Sequence, residues 1–122
     1  KSYPAEIYGS GCKASSKSRK KIDDALNKTK RWCGLSTDFD WTGPLYQSAN
    51  RMAHLYFFRK IAGVPAWLAN INFLNDPHSP TDYEAWQKQL KKVKAELGIS
   101  ISGISYTADI FVEARERSEL FV

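Results

Sequence analysis

The sequence predicts an α/β fold, and three observations carry that expectation. A helix-period run, WTGPLYQSANRMAHLYFFRK, feeds directly into a period-two run, VPAWLANINFLND. A third helix with its own start and stop signals comes next, and a second strand-like run, YTADIFVEA, closes the pattern. The order reads short strand, helix, helix, strand, helix, strand, which means a sheet covered by helices in one domain spanning residues 1–122. Two clear strands make a thin sheet for three helices. The chain also opens on Lys1 inside an extended-looking segment, so it reads as a fragment, with further strands expected upstream or from a partner.

Taken in order, residues 1–14 are extended and then irregular, because Pro4 breaks helix and Gly9, Ser10 and Gly11 permit a tight turn. Ser15 or Ser16 caps a first helix that runs to Trp32 or Cys33 and stops at Gly34. Its inner stripe is Ile22, Ala25, Leu26, Thr29 and Cys33, and Lys17, Lys20, Lys21, Lys28 and Arg31 spread over its outer side. Thr42, with Pro44 just inside, starts the second helix and Gly63 ends it. Leu45, Ala49, Met52, Ala53, Tyr56 and Phe57 form its buried face, and Leu55, Phe58 and Ile61 widen the apolar coverage. Gln47, Arg51 and His54 stack on another side at i, i+4 and i+7. A polar row on such a helix needs partners inside the fold or in a ligand, which makes it the first place to look for function.

The strand that follows puts Trp67, Ala69, Ile71 and Phe73 on one face, and Leu68, Asn70, Asn72 and Leu74 on the other. Trp67 and Trp86 fall on stripes expected to be buried. NDPHSP is a turn, in which Asp76 and His78 resemble metal ligands by type but suit turn formation better. Thr81 and Glu84 form a capping box for the third helix, whose inner residues are Trp86, Leu90, Val93 and Leu97 and whose C-cap is Gly98.

Composition narrows the class. With 43% hydrophobic and 25% charged residues, the chain is globular in type, and no apolar run approaches a membrane span. Its net charge of +5 is uneven: residues 1–36 hold nine Lys and Arg against Glu6, Asp23 and Asp24. A basic lobe on a near-neutral body suits a polyanion surface. Cys12 and Cys33 lack the spacing of a zinc site, and two lone cysteines give a reducing, cytoplasmic compartment as the default.

Four runs together, KSYPAEIYGSGCKASSKSRKKIDDAL, WTGPLYQSANRMAHLYFFR, VPAWLANINFLNDPHSPT and YEAWQKQLKKVKAELG, resemble the latter part of prokaryotic PD-(D/E)XK nuclease-like proteins. The resemblance covers nearly the whole chain. It implies a restriction-endonuclease-like mixed sheet flanked by helices, incomplete in this chain, and metal-dependent hydrolysis of DNA phosphodiesters in the intact protein. Lys1 would be the lysine of the E-x-K motif that ends a strand, with the acidic pair lying before it. Gln47 and Arg51 would stand beside the site, and Glu6 would be an outer ligand for Mg²⁺ or Mn²⁺. Without the upstream acids the chain by itself is expected to hold metal poorly.

Two other readings come from the residues themselves. In one, Lys17, Lys20, Lys21, Lys28 and Arg31 track nucleic-acid phosphates without catalysis. In the other, an open sheet edge pairs with a second copy to give a homodimer.

Overall fold

The computed structural model describes residues 1–115. A 3-10 turn at Pro4–Ile7 leads to helix α1 (Ser16–Trp32), helix α2 (Tyr46–Tyr56), strand β1 (Leu68–Leu74), helix α3 (Tyr83–Leu97) and strand β2 (Thr107–Glu113). The fold is α/β. β1 and β2 pair in parallel, with Leu68 opposite Thr107 and Leu74 opposite Glu113. Parallel neighbours need a crossover, and α3 supplies it.

The anticipated short first strand is the 3-10 turn instead, because Pro4 sits where its missing N–H costs nothing. Lys1 nevertheless lies against the second edge of β1. Its amino group donates to the Ile71 carbonyl at 2.6 Å, and its carbonyl accepts from the Phe73 amide at 2.8 Å. That pattern is one rung of a parallel ladder opposite Asn72.

Ser15 caps α1 by accepting from the Ser18 amide. Cys33, expected on the apolar face, is the C-cap residue, and its partial burial pushes the thiol up to about 11. The buried residue of that last turn is Lys30, only 4% exposed. Its Nζ donates to the carbonyls of Phe39 and Thr37 and lies 5.3 Å from the Trp41 ring centroid. Burial lowers the Lys30 pKa, and Asp40, Asp23 and Asp38 oppose the shift. Lys30 therefore folds the loop after α1 back onto the helix.

The second helix differs at both ends. It begins at Tyr46 rather than at Thr42 or Pro44, and after Tyr56 it widens into a π-helical turn at Phe57–Ile61. The Ala62 amide there reaches the Phe57 carbonyl at 2.9 Å. The wider turn rotates the following side chains off the inner stripe. Phe57, Phe58 and Ile61 are exposed, while Leu45, Ala49, Met52 and Leu55 are buried as their spacing requires.

The cap of α3 is Asp82, whose carboxylate accepts from the Ala85 amide at 2.8 Å; Thr81, the expected cap, is buried and donates to the Ser79 carbonyl. Gly98 ends α3 in the left-handed region (φ 77°). A Cβ there would lie 2.4 Å from the Phe39 ring. Gly98→Ala is expected to destabilise the domain by about 1–2 kcal/mol from backbone strain alone. Urea unfolding checks this, and an unchanged midpoint would mean that the helix end has refolded.

Ile7, Leu26, Trp41, Leu45, Ala49, Met52, Trp86, Val93 and Leu97 form the core, to which all three helices contribute, and α1 packs on α2. Helices α2 and α3 cover the face that carries Asn70 and Asn72. The other face, expected to be the buried one, lies open: Ile71, Phe73, Ile110 and Val112 are each at least 36% exposed and Trp67 is 68% exposed. Burying the asparagines is tolerated because they find polar partners.

Candidate functional site

Beneath α2 and α3 the covered sheet face is polar. Asn70 and Asp109 are neighbours in the register, and the Asn70 Nδ2 donates to Asp109 Oδ1 at 3.2 Å. The other carboxylate oxygen of Asp109 lies 3.2 Å from the Lys94 Nζ of α3. Asn72 is 2% exposed, and its amide nitrogen makes a long 3.5 Å contact to the Asn70 carbonyl. These groups, with Thr107, floor a cavity of about 100 Å³. Leu90, Val93 and Leu97 of α3 wall it on one side, and Ser48, Arg51 and Met52 of α2 wall it on the other.

Lys1 borders this cavity and also a second opening, where it meets Arg51, Ala69, Asn70 and Ile71 at the edge of β1. Lys1 and Arg51 thus border the same opening. Helix periodicity explains the position of Arg51, because it follows Ser48 by three residues and precedes the buried Met52.

The polar row on α2 divides here. Arg51 reaches the cavity, whereas Gln47 and His54 are exposed and line neither opening. The His54 Nδ1 lies 2.7 Å from the Asn50 carbonyl, one helical turn back. Glu6 lies near Lys1 but accepts the Ser2 amide at 2.6 Å. Asp76 accepts the His78 amide at 2.9 Å and so forms the expected turn. Lys17, Lys20, Lys21, Lys28 and Arg31 are all exposed along α1.

Among the described residues, no three His, Cys, Asp or Glu side chains come together to hold a metal ion. The described residues alone therefore supply no such group for Mg²⁺ or Mn²⁺. Among the same residues, no helix is long and apolar enough to cross a membrane.

Lys94 and Asp109 are the site residues that sequence reading passed over. Each carried a signal. Asp109 is a lone carboxylate inside an apolar strand, in phase with the inward Thr107 and Phe111, and Lys94 sits on the inner side of α3 between Leu90 and Leu97.

No family model matches the chain, and neither a curated protein nor a solved structure matches it significantly.

Proposed function

We propose that this chain is the phosphate-facing part of a nuclease-like α/β domain of the PD-(D/E)XK type, with DNA as its substrate class. The observation that carries the reading is the meeting of Lys1 and Arg51 at the edge of a parallel sheet whose covered face is polar. From Lys1 the chain runs through two helices to strand β1, which lies beside Lys1 in the parallel sense, and this supports the reading. Arg51 presents a fork of donors suited to two phosphate oxygens, and Lys1 presents a compact charge. Fixed cations at such a place stabilise charge that develops on a phosphodiester as its bond breaks. The acidic pair of this reading comes from outside the described residues, and no step is assigned to a metal.

Plasmid nicking by the full-length protein in Mg²⁺ or Mn²⁺ tests the proposal. Nicking that is lost in Lys1→Ala and Arg51→Ala supports it. No nicking by the unmodified protein, or equal nicking by all three forms, sinks it.

The exposed basic side of α1 favours a second reading, a binding module without catalysis. Five phosphate contacts by Lys17, Lys20, Lys21, Lys28 and Arg31 give a log–log salt slope of about −4 to −5 on duplex DNA. The double variant Lys21→Glu, Lys28→Glu is expected to make that slope shallower by about 2. An unchanged slope would remove α1 from the interface.

A further inference from the structure

At the end of the domain where both strands begin, five side chains form a cluster that neither the core nor the cavity uses. The Trp32 ring lies edge-on to Tyr56 at 5.7 Å and nearly parallel to Tyr106 at 6.4 Å. Trp67 stands perpendicular to Tyr106 at 5.6 Å. The Arg59 guanidinium lies 3.3 Å from the Tyr106 ring centroid and donates to the Ala66 carbonyl at 2.8 Å. Tyr106 has a left-handed backbone (φ 65°), unusual for an aromatic residue, and its carbonyl accepts the Leu68 amide. The cluster is thus braced from three elements, yet Trp67 remains 68% exposed.

Charge decides what fits there. The segments around the five cluster side chains carry, within five positions of them, one acid alone, Asp109, which pairs with Lys94 at 3.2 Å. They contribute Arg59 and its neighbour Lys60, and Lys28 and Arg31 flank Trp32 on the last turns of α1. A purely apolar partner gains nothing from that cationic surround, whereas an exposed indole beside cations, with Asp109 already paired to Lys94, matches a polyanion that also carries π-faces. We infer that this end of the domain is a stacking site for unpaired nucleobases, with Trp67 as the contact surface and single-stranded nucleic acid as the ligand. The inference rests on the nucleic-acid reading for its class of ligand, but on residues outside the cavity.

Fluorescence anisotropy with labelled oligothymidylate, an abasic strand of the same length and the chain as it stands tests the assignment. The unmodified chain is expected to prefer the base-bearing strand. Trp67→Ala is expected to weaken oligothymidylate binding by roughly 5- to 100-fold and to bring it level with the abasic strand, while Trp67→Phe keeps most of the preference. Equal affinity of the unmodified chain for the two strands, or an unaltered affinity in Trp67→Ala, overturns it. A sedimentation mass that halves in Trp67→Ala, with oligonucleotide affinity unchanged, assigns the surface to a second copy and also overturns it. Failure of plasmid nicking with the base preference intact would remove the cleavage reading alone.

Discussion

Trp86→Ala is expected to lower the free energy of unfolding by about 3–5 kcal/mol. Domains of this size have roughly 5–15 kcal/mol in all, so the variant should be close to unfolded at room temperature. Trp86 is completely buried, and its Nε1 donates to the Phe73 carbonyl at 2.8 Å. One side chain therefore fills the space under α3 and ties that helix to β1. Alanine would leave both a cavity and a part-buried carbonyl without its donor. Trp86→Phe separates the two effects, since it keeps most of the volume and removes only the donor, for an expected loss of about 1–3 kcal/mol. Trp67→Ala, on the open face, should change stability by no more than about 0.5 kcal/mol. Urea unfolding of the three variants ranks them, and a Trp86→Ala midpoint near that of Trp67→Ala would place the core elsewhere.

The two tryptophans show where the sequence was legible and where it was not. Period-two alternation in β1 correctly sorted Trp67, Ile71 and Phe73 from Asn70 and Asn72, because successive side chains must point to opposite sides. Which side meets the helices is not a property of the strand. Hydropathy favours burying the apolar side, and the fold does the reverse, since α2 and α3 pack over the asparagines. The choice depends on Asp109 and Lys94, which lie far along the chain and give the polar face its partners. Helix α3 was readable from local signals, a clean apolar stripe and a glycine stop, although its cap is Asp82 and not the Thr81 that the capping-box pattern suggests. The π-turn after α2 left no comparable local mark, and Phe57, Phe58 and Ile61 within it are exposed. Lys30 was hidden for a related reason: its burial needs the carbonyls of a loop that only closes in three dimensions.

Arg51→Ala is expected to reduce DNA nicking by the full-length protein by about 10²–10³-fold, the usual effect of removing one fixed donor from developing charge. Folding should hardly change, because Arg51 is exposed and makes no ion pair among the described residues. The loss should fall on kcat more than on KM if the guanidinium meets the phosphate as its bond breaks, and on KM alone if it only holds DNA in place. Arg51→Lys keeps the charge and loses the fork, so it should recover part of the rate but not all of it. Gln47→Ala and His54→Ala are the internal controls. They occupy the same polar row, one turn either side, and their side chains stay outside both openings. Near-normal rates in those two, beside a large loss in Arg51→Ala, would place the chemistry at the cavity mouth over the sheet edge. A loss shared by all three would move it to the outer face of α2, and the pairing of Arg51 with Lys1 would then have no part in cleavage.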